Sequence, residues 1–120
     1  MKPGNGSTRD LWGPGGPGAM EKLCAMFPSL RDADGTSPWD ADKLLRWLCT
    51  SSAVTAGGDC AARFVLQVWN STAEWKYVAA ELDIQGAEAA RPFNVVEAMG
   101  RWDGEHQAAF RAWVEMPFFP

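Results

Sequence analysis

The chain has 120 residues, 47% of them hydrophobic, which is enough for one packed core and too short for two domains of ordinary size. Fifteen acidic and 11 basic residues give a formal net charge of -4, and the basic residues do not cluster, so no nucleic-acid partner is expected. No apolar run approaches the roughly 18 residues of a membrane span, and no positive flank leads into an apolar stretch at the N-terminus, so the expectation is no membrane partner and a cytoplasmic location.

Residues 1–18 are dominated by glycine and proline, with Leu11 and Trp12 as the large apolar side chains, and read as a flexible arm. Residues 19–120 read as a single helical domain. Met20, Leu23, Cys24 and Phe27 follow helical spacing until Pro28 stops the first helix. Asp34 and Gly35 mark a loop. Ser37, Pro38 and Asp40 then supply an N-cap hydroxyl, a first-position proline and a first-turn acid, so the second helix is predicted to begin at Pro38 with Ala41, Leu44, Leu45 and Leu48 as its stripe.

Asp59 is the predicted cap of a third helix that is apolar over most of its girth, through Phe64, Val65, Val68 and Trp69, and is therefore expected at the centre. Ser71 with Glu74 matches a capping box ahead of a fourth helix bearing Trp75, Val78, Ala79 and Leu82. Asn94 with Glu97 starts a fifth, and Asp103 caps a sixth that Pro117 ends. With no period-two run of strand length, the fold class is all-α: a compact orthogonal bundle of about five to six short helices with a Gly/Pro-rich N-terminal arm. The closing residues Phe118 and Phe119 cannot extend the last helix between Pro117 and Pro120, and are expected to dock beside Trp102 and Trp113.

Chemistry is sparse in this pattern. Gly13, Gly15 and Gly18 match the spacing of a dinucleotide loop, but Pro14 and Pro17 remove two of the amides such a loop would present, so no cofactor is expected. Cys24, Cys49 and Cys60 are odd in number and widely spaced, which fits buried thiols better than disulfides or metal ligands, and no metal is expected. Asn70, Ser71 and Thr72 read as a helix boundary. His106, the single histidine, is the one available base for a serine triad, but its place beside Glu105 in a first turn predicts a solvated or capping role, and no catalytic residue is assigned.

Seven tryptophans and six phenylalanines are the strongest signal. A small core rarely buries so many indoles completely, and those left at the surface are hot-spot candidates. Trp39, Trp75, Trp102, Arg101, Phe118 and Phe119 form the candidate interaction surface. The expected function is a small non-enzymatic helical protein-interaction module, binding a protein partner or self-associating. Two alternatives are an acidic inhibitor or decoy of the mobile-element type, binding a basic site on a target protein, and a small-ligand-binding helical domain.

Overall fold

The computed structural model describes residues 11–120, and among these there are six α-helices and no strand. The helices are α1 (Gly16–Met26), α2 (Ala41–Thr50), α3 (Ala56–Trp69), α4 (Trp75–Glu81), α5 (Val95–Arg101) and α6 (Gly104–Glu115), with single 3-10 turns at Pro28–Leu30 and Ala87–Ala89. This is the expected all-α bundle of short helices. No helix of the described residues is long and apolar enough to cross a membrane.

The core is organised around α3, which packs against α1, α2, α5 and the Pro28–Leu30 turn. Its girth explains its place: Cys60, Ala61, Ala62, Phe64, Val65, Leu66 and Val68 are all buried. At about 1.5 to 3 kcal/mol for each large apolar side chain withdrawn from water, such a helix is stable only with neighbours on most sides. Phe64 is the hub of its aromatic packing, with ring centroids of Phe27, Phe93, Trp102, Phe110 and Trp113 between 5.1 and 6.4 Å away.

The caps of the last two helices are as read, with Asn94 accepting from the Glu97 amide and Asp103 from the His106 amide. Three earlier boundaries are corrected. The second helix starts at Ala41, capped by Asp40 through the Lys43 amide, because residues 35–40 are used in a tight turn closed by the Asp40 amide on the Gly35 carbonyl at 2.8 Å. Gly35 has φ of 85°, and a Cβ there would run into the Asp40 carbonyl and the Leu44 amide, so the turn depends on glycine. Thr55, not Asp59, caps α3: the helix opens three residues before Asp59, at Ala56, which puts Asp59 inside the first turn, where it pairs with Arg63. Ser71 caps nothing: Asn70 Oδ1 accepts from the amide and hydroxyl of Thr72 instead, and α4 begins after Glu74 without a side-chain cap.

The predicted arm over residues 1–18 is also corrected where it can be seen; residues 1–10 lie outside the described residues. Residues 11–15 form a turn, α1 begins at Gly16, and Trp12 is only 3% exposed. Its indole Nε1 donates to the Met116 carbonyl and its ring packs on Phe118 at 5.2 Å. One indole thus supplies the burial that the glycines and prolines around it cannot.

The C-terminal residues dock on Trp12 and Trp113 rather than on Trp102. Trp113 Nε1 donates to the Phe118 carbonyl at 3.2 Å, and Phe119 meets the Trp113 ring edge-on at 5.8 Å. Of the three thiols, all free, Cys24 and Cys60 are buried and Cys49 is half-buried. Burial, with Glu21 nearby, pushes the Cys24 thiol up to about 12.

Candidate functional site

The two ends of α3 carry the arrangements from which function can be read. At the N-terminal end, Thr55 Oγ1 accepts from the Gly58 amide at 3.0 Å and the Thr55 carbonyl from the Asp59 amide at 2.8 Å. Of the four amides that open the helix without an internal carbonyl, Thr55 to Gly58, the cap satisfies that of Gly58 and leaves those of Thr55, Ala56 and Gly57. The absence of side chains at Gly57 and Gly58 lets two other elements come close. A Cβ at Gly58 would lie 3.4 Å from Ser29 Cβ, and one at Gly57 would lie 3.7 Å from His106 Nε2.

Ser29 sits in the 3-10 turn that Pro28 imposes after α1, and His106 in the first turn of α6. Their side chains meet, with Ser29 Oγ 2.7 Å from His106 Nε2. On the other side of the ring, Nδ1 lies 2.8 Å from Asp103 Oδ1, which also accepts the His106 amide at 3.0 Å. A carboxylate can only accept, so Nδ1 carries a proton and donates to Asp103; in the neutral ring Nε2 is then the acceptor for the Ser29 hydroxyl. The His106 amide first, and its ring second, hold the Asp103 carboxyl below the usual range.

The expected solvated histidine is corrected by this geometry. His106 is 7% exposed, stacked on Trp102 at 6.3 Å and beside Phe27 at 5.9 Å, because the residue three after the Asp103 cap is turned inward against both rings. Asp103 is legible in the sequence as the cap of the last helix, whereas Ser29 has no local signal, being 77 residues from His106.

Alongside lies an ion-pair network. The Arg63 side chain is 2% exposed, and its guanidinium donates to Asp59 Oδ2 at 3.0 Å, Glu97 Oε1 at 2.9 Å and the Pro92 carbonyl at 3.0 Å. Arg91 and Arg101 close on the same two carboxylates from outside, at 2.9 and 3.2 Å from Glu97. Hydrogen bonds from Arg63, then Arg91, hold the Glu97 carboxyl below its ordinary value of 4.5.

The C-terminal half of α3 is apolar by contrast. Phe64, Val68, Phe93, Phe110, Trp113 and Phe119, with Gln67 and Ser71 at the rim, line an open groove of about 250 Å³. Phe119 forms its free edge and is 76% exposed. Next to the groove, and sharing Gln67, Ser71 and Phe93 with it, a second cavity of about 270 Å³ is bordered by Trp75, Leu66 and Arg91.

The six residues of the candidate surface do not form one patch. Phe118 and Phe119 come together at Trp113, whereas Trp39 packs on Trp69 at 5.4 Å and Trp75 borders the second cavity. The indole nitrogens of Trp39 and Trp75 are buried with no hydrogen-bond partner among the described residues. Arg101 belongs to the ion-pair network. Trp102 is removed from the surface: it is 5% exposed, and its Nε1 donates to the Gly57 carbonyl at 3.0 Å. Phe110 and Val68 read from the sequence as helix faces and Phe93 as part of a helix start, since helical spacing cannot tell a core stripe from the wall of a groove; Trp113 alone of the four is expected beside the docked tail. Comparison of the chain with protein-family models, with curated proteins and with solved structures finds no match.

Proposed function

We propose that this chain is a helical protein-interaction module whose docking site is the groove along the C-terminal half of α3, taking a segment of a partner protein that offers one large apolar side chain. The observation that carries this reading is Phe119, three-quarters exposed on the rim of a groove walled by four other aromatic rings. A large apolar side chain entering a preformed aromatic pocket is the arrangement in which interface energy concentrates. Phe119 costs the free protein solvent-exposed apolar area, and a partner that covers it recovers that area.

The acidic-decoy alternative is less well supported, because the carboxylates that do cluster, Asp59 and Glu97, are already bound by three arginines. The test is affinity capture from the native host with four baits: wild type, Phe119→Ser, Val68→Glu and Tyr77→Ser. Tyr77 is exposed on α4 and outside the groove, so it serves as the control. A protein retained by wild type and Tyr77→Ser, and lost by both groove variants, is the expected result. A partner indifferent to the groove variants, or no specific partner at all, overturns the proposal. Sedimentation of the purified chain distinguishes a second copy as the occupant.

A further inference from the structure

The chain of hydrogen bonds from Asp103 through His106 to Ser29 lies at the opposite end of α3 from the groove, and it has the connectivity of a serine nucleophile with its base. We infer that Ser29, His106 and Asp103, with the free amides at the start of α3, form an acyl-transfer site for small carboxylic esters.

Three features support this independently of the groove. The first is the polarity of the chain: carboxylate to Nδ1 at 2.8 Å and Nε2 to hydroxyl at 2.7 Å is the order needed for the imidazole to withdraw the serine proton. The second is what faces it. An attacked carbonyl develops negative charge, and the positive end of a 14-residue helix is beside the pair: a Cβ at Gly57 would lie 3.7 Å from His106 Nε2 and one at Gly58 3.4 Å from Ser29 Cβ, and the Ala56 and Gly57 amides of this first turn are donors without an internal acceptor. The third is access. Ser29 and Gly57 are half-buried and Ala56 is exposed, while Trp102, Phe27 and Trp47 screen the imidazole and the glycines from behind. With rings behind the pair and Ser29 only half-buried in front of it, the substrate this arrangement suits is a small acyl group.

The reaction follows from the geometry. Ser29 Oγ attacks the ester carbonyl carbon as its proton passes to His106 Nε2, giving a tetrahedral oxyanion facing the Ala56 and Gly57 amides. The bond from carbon to the leaving oxygen then breaks, and His106 returns the proton to that oxygen, releasing the alcohol and leaving acyl-Ser29. A solvent water, deprotonated by Nε2, attacks the acyl carbon; the bond to Ser29 Oγ breaks, the serine recovers its proton, and the carboxylic acid leaves. Asp103 is a positioning residue throughout, keeping the Nδ1 proton in place and the ring oriented.

The test uses p-nitrophenyl acetate with the whole chain, following p-nitrophenolate release and locating the acetyl group by mass spectrometry. Acetylation of Ser29 and catalytic turnover are expected for wild type, with Ser29→Ala losing both. Asp103→Asn separates mechanism from architecture, since asparagine caps a helix as well as aspartate does. It should lower kcat about a hundredfold or more at little change in KM, with the melting temperature nearly held. Ala56→Pro removes one amide at a helix position that tolerates proline, after a Thr55 already in extended backbone, and should lower kcat at least about tenfold. An inert wild type, acetyl found only on lysine or on the histidine, or release unchanged in Ser29→Ala overturns the inference and leaves the three residues as a satisfied helix cap.

Discussion

At the N-terminal end of α3 polar side chains are bound in two sets that draw on four elements: Ser29 after α1 with His106 and Asp103 at α6, and Asp59 and Arg63 on α3 with Glu97 on α5. At the C-terminal end the neighbours are rings: Trp39 on Trp69, and Phe110, Phe93 and Trp113 around the groove. The first end orients groups by hydrogen bonds of fixed length and direction, as chemistry requires. The second presents area, which suits docking. A single 14-residue helix thus separates two kinds of surface within a chain of 120 residues.

The largest effect is expected where the two ends meet. Phe64 touches Phe27 and Trp102 on one side and Phe93, Phe110 and Trp113 on the other. Phe64→Ala should destabilise the fold by about 3 to 5 kcal/mol in urea unfolding, the range for removing a fully packed ring. If the ends are independent, only one set of aromatic resonances will move in the variant; movement of both the His106 and the Trp113 signals is the expected result.

Arg63→Met comes next, at about 3 kcal/mol near neutral pH, because removing one member of a buried ion-pair network strands the others. The same variant has a pH signature. Glu97 is held below its ordinary value by Arg63 first and Arg91 second, so the stability it adds is full above about 4.5 and is lost as the pH falls through the lowered folded value. Wild type should therefore lose more of its melting temperature between about pH 5 and pH 3 than Arg63→Met does. Parallel curves would mean that Arg63 is held by packing alone.

How far these two ends were legible in the sequence follows from the range of the interactions that build them. Helices, their central member and the Asn94 and Asp103 caps were readable because each depends on residues within four positions of one another. The Asp59 to Arg63 pair was readable for the same reason. Ser29 meeting His106 was not, since the contact spans 77 residues and a lone serine after a proline carries no pattern. Trp12 was misassigned on composition: glycine and proline around it signal an arm, and the Met116 carbonyl that holds it is 104 residues away. The groove was half legible, as a tail of two phenylalanines that must be covered; that one ring would dock and the other stay out depended on where the Trp12 indole had settled.

The smallest predicted effect concerns how Trp39 is delivered to the C-terminal end of α3. Two residues near it could cap α2: Ser37, which has the hydroxyl and the proline that favour a helix start, and Asp40, whose side chain accepts the Lys43 amide at 3.1 Å. The turn from Gly35 to Asp40 decides between them, because it places the Trp39 amide on Glu21 Oε2 at 2.9 Å and leaves Ser37 exposed outside the helix. Asp40→Ala should therefore cost about 1 kcal/mol, the usual loss for an N-cap side chain, while Ser37→Ala stays within about 0.5 kcal/mol as an ordinary surface change. Thermal melts of the two variants measure the difference directly. Since the Asp40 cap fixes the start of α2 right beside Trp39, its loss should also loosen the Trp39 ring against Trp69, visible as a shift in tryptophan fluorescence that Ser37→Ala does not produce. Equal effects from the two substitutions would mean that α2 begins before Ala41 and that Trp39 is carried by the helix itself rather than by the turn.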